Sequence, residues 1–143
     1  MQDTTYDGMA VASDPPFGAS VIVYRRSRGS TEFLLLHRAH HGLDYEGDWA
    51  WTPPSGARLP REDPDEGARR ELTEETGLNL PLRRSDYDTA DWFVYIAEAP
   101  FESTVILSGE HDRYAWLSSE EACARCAPEK VAAQIRFVAS QLS

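Results

Sequence analysis

Three glutamates, Glu71, Glu74 and Glu75, occur close together in the stretch RRELTEETG. The flanking residues indicate a helix, and at about 100° per residue the positions i, i+3 and i+4 share one face. Like charges at this spacing cost an isolated helix about 0.2–0.5 kcal/mol per pair, and the helix dipole also disfavours acids near its carboxyl end. A compensating positive charge is therefore expected, either from the neighbouring Arg69 and Arg70 or from a bound cation.

A convergent set of carboxylates suits a hard divalent cation. Mg²⁺ prefers carboxylate and carbonyl oxygens and keeps several of its waters, whereas histidine and cysteine clusters favour softer metals. One turn before Glu71 the same face carries Gly67 and Ala68. Because helix side chains lean toward the amino terminus, the carboxylates would project over nearly bare backbone, which leaves room for ions and phosphates.

The helix that carries these glutamates has clear start and stop signals. Asp63 is suited to the N-cap, Pro64 to the first helical position, and Glu66 to the third position of a capping box. Gly77 is suited to the carboxyl-terminal cap. The sequence therefore predicts a helix from Pro64 to just before Gly77.

Short apolar runs on both sides of this helix predict strands. GASVIVYRR and EFLLLHR predict two antiparallel strands with a turn around Gly29, and WAWTPPSG predicts a third that its prolines end. After the helix, DWFVYIAEA and ESTVILSG predict strands, YAWLS a short one, and the tail one or two helices separated at Pro128. The elements do not alternate regularly, which favours an α+β fold with a mixed sheet over a doubly wound one.

Length and composition bound the remaining classes. The 143 residues suffice for one domain, and we expect residues 1–16 to form a flexible N-terminal arm that precedes a domain over residues 17–143. The formal net charge of −10 argues against a polymeric nucleic acid as partner. No apolar run approaches the roughly 20 residues of a membrane span, and no signal peptide is apparent, so we expect a cytoplasmic protein without a membrane partner. Cys123 and Cys126 are interpreted as small buried or half-buried thiols rather than as a redox pair or zinc ligands.

The longer segment GARLPREDPDEGARRELTEETGL resembles the box that defines the Nudix hydrolase family. The family pattern is matched at every specified position, namely Gly56, Glu62, Arg70, Glu71, Leu72, Glu74, Glu75, Gly77 and Leu78. The resemblance implies a Nudix-type α/β/α sandwich with a mixed central β-sheet. It also implies an enzyme that hydrolyses phosphoanhydrides of nucleotides with Mg²⁺, for which Mn²⁺ can substitute.

The resemblance further implies roles for the residues of the box. Glu71, Glu74 and Glu75 become metal ligands, the Gly56 carbonyl is expected close to the metal, and Glu62 pairs with Arg70. Glu71 is our first choice for the general base, with Glu75 also predicted as a catalytic residue. Members of the family differ over the base, and Glu110 in SGEHDRYAW is a candidate for the base or for a further metal ligand from a loop outside the box.

Two further segments resemble the asymmetrical bis(5′-nucleosyl)-tetraphosphatase branch of the family. They are EFLLLHR with WTPPSG, and LSGEHDRYAWLSSEEA. The position before the box glycine, where that branch often has lysine, is Ser55, and we consider Arg58 or Arg61 as the substituting phosphate ligand. The residues predicted to bind substrate are thus Ser55, Arg58 and Tyr114.

The predicted substrate is a dinucleoside polyphosphate such as diadenosine tetraphosphate, bound by a monomer or homodimer. Two alternatives stay open, a (d)NTP pyrophosphatase of the same fold and a catalytically idle domain that senses a nucleotide. The intact glutamate trio argues against the idle domain. A purine could stack on one of five aromatic residues, while Trp51 is also expected in the core together with Trp116. The five are Trp49, Trp51, Tyr87, Trp92 and Tyr114.

Overall fold

The computed structural model describes residues 10–87 and 89–142. Its strands are β1 (Gly18–Ser27), β2 (Ser30–Arg38), β3 (Trp51–Thr52), β4 (Ser55–Ala57), β5 (Arg83–Arg84), β6 (Trp92–Glu98) and β7 (His111–Ser118). Its helices are α1 (Pro64–Thr76), α2 (Ser119–Arg125) and α3 (Glu129–Leu142). The predicted strands at β1, β2 and β6 are confirmed, as are a helix on each side of Pro128.

The first two strands form the predicted hairpin. β1 and β2 pair antiparallel with Tyr24 opposite Phe33, and Arg28 and Gly29 take positive φ angles of 51° and 81° in the turn. Such a turn matches the twist of the strands that it joins. β1 also pairs with β6 in parallel, so the sheet is mixed as predicted.

The sheet runs in the order β3, β2, β1, β6, β5, with β4 paired to β1 and β7 paired to β2. Alternate residues of the central strands face opposite sides, as the pleat of a strand requires. On one side Val21, Val23 and Leu34 pack against Ala68 and Leu72 of α1. On the other side the neighbouring positions of the same strands pack against α2 and α3. The result is the predicted α+β sandwich, with helices on both faces of a mixed sheet.

The helix α1 begins and ends where its capping signals predict. The Asp63 side chain accepts hydrogen bonds from the backbone N–H groups of Asp65 and Glu66, and Pro64 is the first helical residue. Gly77 ends the helix in the left-handed conformation, and its N–H donates to the Thr73 carbonyl. These caps fix which face of the helix the three glutamates occupy.

The structure differs from the predicted elements in three places. Residues 102–109 form a loop rather than a strand: Val105 is buried beside α1, while the Ile106 N–H donates to the Thr76 carbonyl and its side chain is exposed. The short strand predicted at YAWLS is confirmed, but β7 starts three residues earlier, at His111. The short strand β5, which pairs with β6, was not predicted.

The described part of the predicted N-terminal arm, residues 10–16, contacts the domain. Ala12 is buried, and its N–H donates to the Arg58 carbonyl over 2.7 Å. The carbonyls of Asp14 and Pro16 accept hydrogen bonds from the Arg58 guanidinium. This segment is therefore packed against the domain, whereas residues 1–9 lie outside the described residues. No helix within residues 10–87 and 89–142 has the length and apolar character to cross a membrane.

Candidate active site

The second half of α1 borders a pocket of about 570 Å³. Helix, loop and strand residues that are distant in the sequence meet there. Of the predicted site residues, those that line this pocket are Ser55, Gly56, Glu71, Glu74, Glu75 and Glu110. The structure therefore brings the predicted metal-binding set together, while Arg58 and Tyr114 lie elsewhere.

Glu71 and Glu75 lie beside each other in the lining of the pocket, where their carboxyl groups interact directly. Glu75 is only 3% exposed, and one of its oxygens accepts a hydrogen bond from the Ser55 N–H at 3.1 Å. Burial and the neighbouring Glu71 charge raise the pKa of Glu75 to about 9. Burial also raises the pKa of Glu71, although Glu75 and Arg70 oppose that rise. The raised pKa of Glu75 favours its neutral form beside Glu71, which reduces the repulsion expected from the sequence.

Arg70 compensates the remaining negative charge from the rim of the pocket. Its guanidinium contacts both oxygens of Glu62, at 2.8 and 3.0 Å, which is the expected ion pair. It also reaches Glu71 at 3.0 Å and Glu74 at 3.1 Å, and donates to the Ala57 carbonyl. One arginine therefore joins the loop before α1, the strand β4 and two of the three glutamates.

Gly56 brings the backbone of β4 against the Glu71 carboxyl group. A Cβ placed on Gly56 would lie 2.6 Å from Glu71 Oε1 and closer still to Cδ and Oε2. Real Cβ atoms essentially never approach another heavy atom so closely. The glycine is therefore required for Glu71 to keep its position beside the strand.

Glu110 enters the pocket from the loop before β7. The Ala39 N–H donates to the Glu110 carbonyl at 2.9 Å, which ties this loop to the end of β2. The charge of Glu110 contributes to the raised pKa of Glu75, after burial and Glu71. An acid outside the box thus lies close enough to act together with the helix glutamates.

The chemistry of this donor set fits a hard divalent cation, which Nudix hydrolases generally use. Four carboxylates and the bare backbone at Gly56 border one pocket, and carboxylate oxygens are preferred ligands of Mg²⁺. Within residues 10–87 and 89–142, however, no three carboxylate, histidine or thiol side chains already surround a common point. Glu71 is turned toward Arg70 and Glu75 instead. Rotation about side-chain bonds is needed to direct the oxygens toward a shared ion.

The position of Arg58 does not support the prediction that it binds substrate. Arg58 is 6% exposed, and its guanidinium donates to the backbone carbonyls of Pro16, Glu62 and Asp14 at 2.7–2.8 Å. It also pairs with the Asp14 carboxylate at 3.0 Å. These partners occupy the guanidinium away from the pocket. Arg58 therefore joins residues 14–16 to the loop before α1.

The prediction that Tyr114 binds substrate is not supported by its position. Tyr114 is on β7, where it pairs with Leu36 of β2. Its side chain is 43% exposed and does not line the pocket. Among the aromatic candidates, Trp51 is buried in the core as expected, Tyr87 packs on Phe137, and Trp92 donates to the Ser20 hydroxyl.

Trp49 is the aromatic candidate that does line the pocket. It is 39% exposed, and it has a positive φ of 67°, which is rare for a bulky residue. Its backbone N–H donates to the Ala127 carbonyl at 2.5 Å, and the Lys130 ammonium lies 5.2 Å from the centroid of the Trp49 ring. The hydrogen bond holds the Trp49 backbone, and the Lys130 contact lies beside its ring at the pocket wall.

Sequence reasoning missed part of this wall, formed by Arg38, His40, His41 and His111. His40 and His41 are exposed, and their ring centroids lie 4.7 Å apart. Burial lowers the pKa of His111 to about 4, with a further contribution from the Arg38 charge. The available signal was that Arg38 ends an apolar strand, which places its side chain at the end of the strand rather than in the middle of the sheet.

Comparisons with known proteins agree with this arrangement. Asymmetrical bis(5′-nucleosyl)-tetraphosphatase of Mus musculus is 33% identical over 124 residues, which cover 72% of this chain and 79% of that protein. The protein of the same name from Caenorhabditis elegans is 30% identical over 119 residues, covering 73% and 80%. The crystal structure of a C. elegans Ap4A hydrolase binary complex superposes with a TM-score of 0.71 at 26% identity, covering 87% of this chain and 96% of that one.

The sequence pattern of the NUDIX domain matches residues 15–140, and this range includes every residue of the pocket. It also begins within the segment that Arg58 fixes to the domain. The box residues that define the pattern are those that meet at the end of α1. This chain therefore belongs to the Nudix family and is a hydrolase that acts on phosphoanhydride bonds.

Proposed function

We propose that the protein is a Mg²⁺-dependent hydrolase of dinucleoside polyphosphates, with diadenosine tetraphosphate as a substrate. The observation that carries this proposal is the pocket in which Glu71, Glu74, Glu75 and Glu110 meet beside Gly56. The substrate class rests on the relatives of about a third identity that are named asymmetrical bis(5′-nucleosyl)-tetraphosphatase.

In this proposal the four carboxylates and the Gly56 carbonyl hold Mg²⁺, and Mn²⁺ can substitute for it. The bound cation would neutralise charge on the phosphate oxygens and acidify a water molecule. Glu71 accepts the proton of the attacking water, since it lies between the strand at Gly56 and the buried Glu75. The oxygen of that water bonds to phosphorus while the bridging P–O bond breaks and the leaving phosphate keeps the electron pair.

The remaining residues of the pocket orient the groups that react. The Ser55 N–H holds one oxygen of Glu75, and Arg70 holds the Glu71 and Glu74 side chains from the rim. Trp49 provides an indole face on which a nucleobase can stack. A cluster that binds one end of a phosphate chain favours cleavage at one bridge, so the products are a nucleoside triphosphate and a nucleoside monophosphate.

A panel of nucleotides with Mg²⁺, with products identified by mass, tests the proposal. Diadenosine tetraphosphate should give ATP and AMP, and excess chelator should abolish the reaction. Faster conversion of a nucleoside triphosphate to monophosphate and pyrophosphate would instead identify a (d)NTP pyrophosphatase. Binding without turnover of any nucleotide would identify a sensor domain.

A further inference from the structure

A phosphate chain needs positive charge in a pocket that already contains four carboxylates. Two arginines line this pocket, Arg38 and Arg70. Arg70 is committed to Glu62, Glu71 and Glu74, with which it forms ion pairs of 2.8–3.1 Å. Arg58, the nearest arginine in sequence to the box glycine, is buried against backbone carbonyls. The charge that would meet the substrate must therefore come from another residue.

Arg38 meets this requirement. It is half-buried at the end of β2, and it lines the pocket. Across residues 10–87 and 89–142, its guanidinium forms no side-chain hydrogen bond or ion pair. A guanidinium carries donors in a planar fork that matches phosphate oxygens in pairs. Arg38 thus has the charge and the geometry that a phosphate requires.

His111 adds a second donor beside Arg38. The two residues are paired across β2 and β7, next to a register shift that follows His37. His111 lines the pocket and is 8% exposed, and its Nδ1 has no hydrogen-bond partner among the described residues. A buried polar atom without a partner costs about 1–3 kcal/mol, which is a reason to look for a ligand there. Both residues are next to the hydrogen bond that joins the two strand ends. Ala39, which follows Arg38, donates its N–H to the carbonyl of Glu110, which precedes His111.

We propose that Arg38, with His111 beside it, binds the phosphate chain of the nucleotide substrate. The inference rests on the proposed function, because it concerns the substrate of the same pocket. The guanidinium offsets charge on the phosphates that the carboxylate-bound cation does not contact, and the imidazole donates a hydrogen bond to a phosphate oxygen. Arg38 and His111 determine how tightly the phosphate chain is bound rather than the rate of bond cleavage.

The test separates binding from turnover. The ligand is an analogue of diadenosine tetraphosphate in which methylene groups replace the bridging oxygens, titrated calorimetrically in Mg²⁺ and compared with AMP. Arg38→Gln should weaken binding of the analogue by about tenfold or more, as expected for a lost charge-assisted hydrogen bond, and weaken binding of AMP by less than about threefold. Arg38→Lys should lie between Gln and wild type, because lysine keeps the charge and loses the fork.

Arg69→Gln is the matched control, since it removes the same charge from an exposed position of α1 outside the pocket. We expect its affinity to stay within about twofold of wild type. For the imidazole, His111→Asn keeps a donor near the place of Nδ1, whereas His111→Leu removes it, and the Leu variant alone should lose affinity. Melting temperatures that match between these two variants exclude a folding effect.

An Arg38→Gln variant with wild-type affinity for the analogue overturns the inference, and so does an equal loss in Arg69→Gln. These results are distinguishable from failure of the proposed function. A wild-type protein that binds the analogue but hydrolyses no nucleotide refutes the proposed function, and the Arg38 comparison still decides the phosphate contact. Hydrolysis that proceeds with an unchanged KM in Arg38→Gln refutes only the inference.

Discussion

Gly56 of β4 and Glu71 of α1 approach each other so closely that a methyl group on Gly56 would overlap the Glu71 carboxyl group. The overlapping atoms are the end of a flexible side chain, which can move aside. We therefore expect Gly56→Ala to fold with a free energy of unfolding within about 1 kcal/mol of wild type. The displaced carboxylate should lower kcat on the order of 10²-fold, since misplacement by about 1 Å has that effect in other enzymes.

Chemical denaturation and steady-state kinetics on the same preparation check this prediction. Gly109→Ala is the control, because a Cβ at Gly109 would meet no atom within 4 Å. It adds the same methyl group near the same site and should leave kcat within about twofold. An active Gly56→Ala variant would show that the position of Glu71 beside the strand is unimportant for the reaction.

Glu75→Gln should inactivate the enzyme and yet stabilise it in the presence of chelator. Burial and the charge of Glu71 raise the pKa of Glu75 to about 9 from an ordinary value of 4.5. The folded protein therefore disfavours the carboxylate, and wild type loses stability as the pH rises from about 4.5 toward 9. The Gln variant lacks this loss, so its advantage in melting temperature should be larger at pH 8 than at pH 5.

Thermal unfolding of both proteins in excess chelator at the two pH values measures this difference. All other titrating groups contribute to both proteins, so the comparison isolates the Glu71 and Glu75 pair. Turnover with Mg²⁺ should fall by at least about a hundredfold in Glu75→Gln and in Glu71→Gln. An advantage that is independent of pH would contradict the raised pKa of Glu75, and full activity of either variant would refute the assigned chemistry.

The sequence predicts α1 and its glutamates well because local signals decide them. Asp63 and Gly77 act on the backbone within a few residues, so their cap geometry is readable without tertiary structure. The spacing of Glu71, Glu74 and Glu75 fixes their common face once the helix is known. Chain turns at Gly29 and at Pro128 are predictable for the same reason.

The parts that the sequence does not predict depend on contacts between distant residues. Arginine is a common phosphate ligand, and the sequence alone suggests this role for Arg58. In the folded protein residues 12–16 pack against Arg58, and their carbonyls accept the hydrogen bonds of its guanidinium. Residues 102–109 have the β-branched composition of a strand, and they pack on the end of α1 without a neighbouring strand to pair with. Arg38 lies in the pocket because β2 ends there; the sequence indicates the end of the strand but not that the strand ends at the pocket.

Arg58→Met should destabilise the protein without affecting substrate binding. The substitution keeps much of the buried side-chain volume and leaves three backbone carbonyls without their donors. Unsatisfied buried acceptors cost about 1–3 kcal/mol each before relaxation, so we expect a total loss of roughly 2–4 kcal/mol. Urea denaturation measures the loss, and KM for diadenosine tetraphosphate should remain within about twofold of wild type. A stable variant with a strongly raised KM would restore Arg58 as a phosphate ligand.

Trp49→Ala should raise KM by roughly tenfold with a smaller effect on kcat. A base that stacks on an aromatic ring contributes about 1–3 kcal/mol, and Trp49 is held at the pocket wall by its bond to Ala127. Trp49→Phe keeps a stacking face and should retain most of the affinity. Tyr114→Ala is the matched control, because it removes an exposed aromatic ring outside the pocket. A raised KM in Tyr114→Ala with an unchanged Trp49→Ala would reverse the assignment.

Glu110→Gln should lower kcat by at least about tenfold with little change in KM. Glu110 lines the pocket, and its charge already influences Glu75, so its carboxylate lies within reach of the groups that bind metal or move a proton. A contribution of this kind is made mainly in the transition state, which is why it affects kcat rather than KM. Kinetics at saturating Mg²⁺ measure the effect, and Glu102→Gln, an exposed acid outside the pocket, serves as the control. His111→Ala should change kcat less than Glu110→Gln does. If Glu110→Gln and Glu102→Gln both keep the wild-type kcat, Glu71, Glu74 and Glu75 carry the chemistry without the loop.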